Sequence, residues 1–190
     1  MVKVAKKISV GSMLSLIGAA ALLFASMKFP WWGMKFFAPQ YPEGLDIVVY
    51  PSKLEGDIEI VNGLNHYIGM APFSNESFPE LKYLPGLIIG LAVIFVIIAL
   101  ARRKALLYIP AGLLAIGGAL GIYDMKRWLS KFGTELDPKA PIELDPFVPP
   151  IIGENTLANF VTNSYFTTGS FILGAAFILT ILPFWLERRK

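Results

Sequence analysis

The sequence has one histidine, His66, and a methionine four residues beyond it, Met70, both in the stretch Asn62-Gly63-Leu64-Asn65-His66-Tyr67-Ile68-Gly69-Met70. Imidazole and thioether are neutral side chains that bind soft or borderline metals, so in a chain without cysteine this pair is the local sign of metal chemistry. Two ligands do not close a coordination sphere, and a lone histidine is more often structural, with its ring nitrogens bonded to backbone or to a carboxylate. A spacing of four puts both side chains on one helix face, while Gly69 weakens a helix at that point.

The rest of the chain offers little for catalysis. Without cysteine there are no disulfides, thiolate zinc sites, iron–sulfur clusters or thiol nucleophiles. No nucleophile–base pair, glycine-rich phosphate loop or cluster of metal ligands is present, and the carboxylates show no spacing that singles out a catalytic pair. The sequence is read as that of a non-enzyme.

The elements that must position His66 and Met70 follow from hydropathy. With 190 residues, 55% hydrophobic side chains and a mean hydropathy of +0.58, the chain is more apolar than an ordinary soluble domain and belongs in a bilayer. Its net charge of +3 carries no weight for nucleic acid, because membrane proteins distribute Lys and Arg by topology. Four uncharged runs, at about 8–27, 83–101, 105–123 and 167–186, have the length of membrane-crossing helices. The first lacks a small-x-small cleavage site at its exit and reads as a retained helix rather than a signal peptide.

Basic residues flank these runs at Lys3, Lys6 and Lys7, at Arg102-Arg103-Lys104 and at Arg188-Arg189-Lys190. By the positive-inside rule that side is the cytoplasm and holds both termini. The connections 28–82 and 124–166 then face the periplasm or exterior. None of the four runs contains Asp, Glu, Lys, Arg or His, which argues against a pump, a coupled transporter or an intramembrane protease. Gly86 and Gly90, and Gly117 and Gly121, have the small-xxx-small spacing of closely packed helices, which suits packing within a bundle or docking of a partner.

In the first connection, Phe29-Pro30-Trp31-Trp32-Gly33-Met34-Lys35-Phe36-Phe37 reads as an aromatic anchor at the membrane surface. Leu45 to Tyr50 and Asp57 to Val61 are rich in β-branched residues and read as strands of a small antiparallel sheet, with the His66 stretch leaving the second. In the second connection, Asp124 to Trp128 prolongs the third helix. Leu136 to Ile142 and Pro149 to Gly153 are stiff, extended, proline-rich segments, and Leu157-Ala158-Asn159-Phe160 suits a short surface helix. The expected architecture is an all-α membrane protein: a four-transmembrane-helix bundle in a single membrane domain, with a small β-rich first outer loop and a proline-rich second one.

Several of these motifs occur together elsewhere. Ala38-Pro39-Gln40-Tyr41-Pro42-x-Gly44-Leu45, Gly56-Asp57-x-Glu59-Ile60, Leu64-Asn65-His66-Tyr67-Ile68-Gly69-Met70, Leu136-Asp137-Pro138-x-Ala140-Pro141-Ile142, Pro149-Pro150-x-Ile152-Gly153 and Leu157-x-Asn159-Phe160 resemble a family of four-helix membrane proteins. That family is encoded beside maturation factors for nitrous oxide reductase, including its copper chaperone. The chain departs from the family pattern before its last helix, reading Asn163-Ser164-Tyr165-Phe166-Thr167-Thr168-Gly169 where the family runs Phe-Pro before a glycine pair, and its helices are richer in glycine.

The resemblance implies copper, with His66 and Met70 as ligands, Met34 or Met125 as a third, and Asn65, Asp57 or Asp137 orienting the imidazole. It also implies contacts to a larger membrane or extracytoplasmic complex through Trp31, Trp32, Tyr41, Asn65, Tyr67 and Asp137. The functional expectation is a non-catalytic accessory protein or small subunit of a copper-dependent metalloenzyme in the inner membrane, in contact with lipid. The alternative is a purely structural subunit of a respiratory or monooxygenase complex with no metal of its own. A claudin-like junction protein shares four helices and a β-rich first loop, but the paired cysteines of that family are missing.

Overall fold

The structure, a computed structural model, describes residues 7–157 and 160–188. In chain order its elements are α1 (Val10–Ser26), β1 (Trp32–Ala38), β2 (Tyr41–Val49), β3 (Leu54–Gly56), α2 (Ile58–Tyr67), α3 (Glu80–Ala101), α4 (Tyr108–Thr134), β4 (Gly153–Leu157), β5 (Phe160–Phe166) and α5 (Thr168–Arg188). Five antiparallel strands form one sheet in the order β3-β2-β1-β5-β4.

The fold is therefore mixed α/β, and the expected all-α four-helix bundle is corrected. The four apolar runs are helical, but both connections between them enter one shared sheet. Strand β1 lies within the stretch read as a membrane-surface anchor, and the segment expected to hold a short helix instead ends β4 at Leu157 and begins β5 at Phe160. Ala158 and Asn159 lie outside the described residues. Asp57 to Val61, read as a strand, opens helix α2. Its apolar side chains pack at helical spacing, Ile58 and Leu64 partly buried and Val61 fully so, while Ile60 is exposed.

Helices α3, α4 and α5 are long and apolar enough to cross a membrane. Helix α1, with 17 residues, is shorter; at 1.5 Å per residue it spans about 25 Å. It is also the most enclosed. Ala19, Ala20 and Leu23 of α1 pack with Ile88 and Phe95 of α3 and with Ala176 of α5 in one buried cluster. The close approach of α1 to α5 comes from small residues of α1: a Cβ added at Gly18 would lie 3.2 Å from the Leu179 side chain, and one at Gly11 3.5 Å from Leu186. Between them, Ser15 donates its hydroxyl to the Leu179 carbonyl across 2.6 Å.

At the start of α1 the Ser9 side chain caps the helix by accepting from the Ser12 amide. Glu187, only 4% exposed, places its Oε1 2.8 Å from the Ser9 amide and 2.7 Å from the Ser12 hydroxyl. A carboxylate on the exposed amides of a helix N-terminus meets the positive end of the helix dipole, so this contact fixes the registry of α1 on α5.

Helix α4 stands apart. Every residue from Ala115 to Tyr123 is exposed, and in the whole helix only Pro110, Phe132 and Gly133 are buried. Cβ atoms added at Gly86, Gly90, Gly117 or Gly121 would meet nothing within 4 Å, so these glycines do not pack inside the helix assembly.

Beyond the helices the α1–α5 pair continues as the strand pair β1–β5, whose register runs from Trp32↔Phe166 to Phe37↔Val161. At the junction the Gly169 amide donates to the Pro30 carbonyl (2.8 Å), the Thr167 amide to the Trp31 carbonyl (3.2 Å), and the Trp31 indole to the Ser26 carbonyl (3.1 Å). A Cβ on Gly169 would fall on the Trp31 ring and 2.6 Å from the Pro30 carbonyl oxygen, so only glycine fits there. Gly169→Ala should lower stability by about 1–3 kcal/mol through overpacking against backbone. Gly174→Ala, in open space on the same helix, should be neutral or stabilising by up to ~1 kcal/mol. Unfolding of both variants in the same detergent compares them, and equal effects would refute a tight junction.

Candidate functional site

The stretch that holds His66 is the end of a helix. In the last turn of α2 the Met70 amide donates to the Asn65 carbonyl (2.9 Å), the Gly69 amide points at the His66 carbonyl (3.4 Å), and Gly69 takes φ of +76°. This is the Schellman arrangement, in which a left-handed residue just past the helix turns the chain back over its last carbonyls. The proline-rich segment lies across the turn: the Asp137 amide donates to the Gly69 carbonyl (2.8 Å) and the Ile142 amide to the Tyr67 carbonyl (3.0 Å). A Cβ on Gly69 would come within 2.9 Å of the Asp137 backbone nitrogen.

The turn sorts the side chains of the motif. Asn65 is 2% exposed and faces inward, His66 and Tyr67 face solvent, and Met70 is buried between them. Two spaces result. A narrow, partly enclosed apolar cavity of about 50 Å³ lies between the sheet (Met34, Phe36), α2 and its turn (Asn65, Met70), and the aromatic rings of Phe132 and Phe147. An open cleft of about 630 Å³ on the other side is lined by His66 and Met70 together with Glu135, Asp137 and Lys139. Met70 is common to both.

The nominated ligands are thus divided. His66 and Met70 share the cleft, while Met34 and Met70 both line the narrow cavity. Met125 is half-buried on α4 and lines neither space. Among the described residues no three His, Asp or Glu side chains are grouped to hold a metal ion. Of the groups expected to orient the imidazole, Asp137 shares the cleft with His66, Asn65 is turned into the interior, and Asp57 sits at the opposite end of α2, where its Oδ2 accepts from the Asp46 amide (2.9 Å).

The nominated partner contacts are also divided. Trp32 is buried and its indole donates to the Ile151 carbonyl (2.8 Å), Trp31 belongs to the helix–sheet junction, and Tyr41 packs against the cluster of Leu45, Ile47 and Leu54. Tyr67 and Asp137 are exposed.

Sequence reasoning missed three polar residues of the sheet. Thr162 lines the narrow cavity, and beside it stand Asn155, paired with Thr162, and Ser164, paired with Met34. Direct antiparallel partners share a face, so all three lie on the cavity side. The signal was the alternation of Thr162 and Ser164 within Val161-Thr162-Asn163-Ser164-Tyr165-Phe166, a stretch of high strand propensity.

On the opposite face the Tyr165 ring covers Gly33, and its hydroxyl lies 3.2 Å from Asp46 Oδ1, which is also paired with Lys35. Burial, and then the Asp46 carboxylate, push the Tyr165 phenol above its ordinary value. Compared with protein-family models and with curated proteins, the chain matches none.

Two outcomes follow from this geometry. Gly69→Ala should destabilise the head by about 1–3 kcal/mol, because an L-residue is strained at that φ and its Cβ meets backbone; urea unfolding followed by Trp fluorescence measures it. Tyr165 keeps its proton to higher pH in the folded chain than in the unfolded one. The stability linked to it is therefore complete below pH ~10 and declines as pH rises through the raised folded value. Asp46→Asn should lower the Tyr165 midpoint, read by phenolate absorbance against Tyr165→Phe, but leave it raised by burial. A midpoint unchanged by Asp46→Asn would remove the carboxylate as a cause.

Proposed function

We propose that this chain is a non-catalytic integral membrane accessory protein or small subunit of a copper-dependent metalloenzyme. Its sheet and α2 face the periplasm or exterior, and its termini lie in the cytoplasm. The carrying observation is that His66 and Met70 line one open cleft, with the thioether of Met34 behind Met70. Imidazole and thioether suit Cu(I), and two such ligands in an open cleft give the exchangeable binding that delivery requires. The carboxylates of Glu135 and Asp137 in the same cleft favour approach of a cation.

Two further points support this reading. Lys7 bridges to Arg103, and the Lys104 ammonium donates to the Glu187 carbonyl, so basic residues gather at the end of the helices away from the sheet, which the positive-inside rule assigns to the cytoplasm. The motif of α2 and the proline-rich segment, which resemble those of proteins encoded beside copper maturation factors, dock on one another.

A second reading, a structural subunit without metal, is favoured by the outward glycines of α3 and α4 and by the exposed run from Ala115 to Tyr123, which suit a neighbouring helix. Purification from native membranes in nanodiscs, with mass spectrometry of what co-elutes and copper analysis of wild type, His66→Ala and Met70→Leu, separates the two. The accessory reading requires near-stoichiometric Cu(I), with affinity reduced at least tenfold in each variant. Large catalytic subunits in fixed ratio, with copper content untouched by either substitution, would leave the structural subunit.

A further inference from the structure

We infer that the helix ends away from the sheet carry a site for the phosphate of an anionic phospholipid, centred on the paired side chains of Lys7 and Arg103. This site goes beyond the copper reading and does not depend on it.

Three segments of the chain meet at this end and are tied by hydrogen bonds. The Ile8 amide donates to the Arg102 carbonyl (2.9 Å) and the Arg102 guanidinium to the Ile8 carbonyl (2.8 Å), so the start of α1 lies against the turn between α3 and α4. The Lys104 ammonium donates to the Glu187 carbonyl (2.9 Å), which joins the same turn to the end of α5. Within this ring Lys7 and Arg103 form a directly opposed antiparallel pair. Because the hydrogen bond beside them runs from Ile8 to Arg102, theirs is the type of pair without mutual hydrogen bonds, with Cα atoms about 4.5 Å apart and both side chains on one side.

Two cations so placed repel one another, as like charges directly opposite on antiparallel chain do. Among the described residues neither side chain has a hydrogen-bond or ion-pair partner, and both residues are exposed. The segments 1–9, 102–107 and 187–190 hold nine of the 17 Lys and Arg of the chain and one carboxylate. That carboxylate, Glu187, is 4% exposed and turned to the Ser9 amide and the Ser12 hydroxyl. The backbone thus holds two cations close enough to share one anion, and the anion comes from outside the chain.

The surroundings select a lipid as its carrier. Tyr108 and Trp185, 71% and 67% exposed, stand near this end of the helices, and such rings favour headgroup depth. The Arg188 guanidinium lies over the Trp185 ring (5.9 Å) and adds a third cation at that level. Exposed Ile109 and Leu182 continue the surface toward the apolar layer, where acyl chains lie. Basic sites between membrane helices suit anionic headgroups. A phosphate diester has two unesterified oxygens, one for the Lys7 ammonium and one for the Arg103 guanidinium.

Native mass spectrometry of the full chain released from nanodiscs tests this, with phosphatidylglycerol and phosphatidylcholine as the probes. The wild type should retain one phosphatidylglycerol in preference by about tenfold or more. Lys7→Gln and Arg103→Gln should each weaken retention roughly fivefold, the factor one basic residue contributes at an anionic surface. Lys7→Arg should keep it. Lys28→Gln removes an exposed cation beyond the other end of α1 and should change nothing. Thermal unfolding in a neutral detergent is the second readout. Without added lipid Lys7→Gln should be at least as stable as wild type, because the repulsion is gone; phosphatidylglycerol should raise the wild-type midpoint and leave that of Lys7→Gln in place. Equal retention by wild type and Lys7→Gln, an equal loss in Lys28→Gln, or displacement of the lipid by millimolar inorganic phosphate would overturn the proposal. Copper content is measured separately on the His66→Ala protein, so loss of the metal reading leaves this one standing.

Discussion

The pairing of β1 with β5 holds the molecule together. These strands are the continuations of α1 and α5, and through them a contact between residues some 130 positions apart passes from the apolar layer into the sheet. The crossing point is a knot of hydrogen bonds around Pro30, Trp31, Thr167 and Gly169, where the backbone leaves helix for strand and the Trp31, Thr167 and Gly169 amides find carbonyl partners across the junction. Because β2, β3 and β4 add only to the edges of this pair, and α2 packs on the sheet they form, the position of the His66 turn depends on it.

The polar contacts at the two ends of the α1–α5 pair have different characters. At one end the Glu187 carboxylate sits on the start of α1; at the other, backbone carbonyls of Pro30 and Trp31 receive the start of α5. In each case the open amides of a helix N-terminus are satisfied by the neighbouring segment rather than by water, as an apolar environment demands. The start of α1 is thus met by a side chain of α5, and the start of α5 by the chain that follows α1.

The four long apolar helices were legible in the sequence because each is written as an uninterrupted apolar run, which needs no knowledge of the rest of the chain. The sheet was not, because its central pairing is non-local and its strands look like other things when read alone. Trp32 to Phe37 reads as a membrane-surface anchor, and Asp57 to Val61 alternates like a strand while belonging to a helix. The segment Phe160 to Phe166 follows a proline-rich stretch that suggests irregular chain. The site was half legible. His66 and Met70 do share a cleft, but Gly69, which counted against a helix, is the residue that ends one. The burial of Asn65 emerges only when α2 is docked against the sheet.

Helix α4 is secured at its two ends and bare between them. At its base Leu107 and Pro110 are buried and Tyr108 stacks on Phe184 at 4.9 Å. At its far end Arg127 pairs with Glu80, Trp128 packs at a tilt against Phe78, and Phe132 meets Phe73 edge-on at 4.7 Å beside the narrow cavity. The span between carries Gly117, Gly118 and Gly121 with no side chain from another element against them. Mechanically it is a beam clamped at both ends whose middle is its softest part. Bending of the helix is thus resisted at its clamped ends, one of which carries Phe132 and its place in the wall of the space behind Asn65.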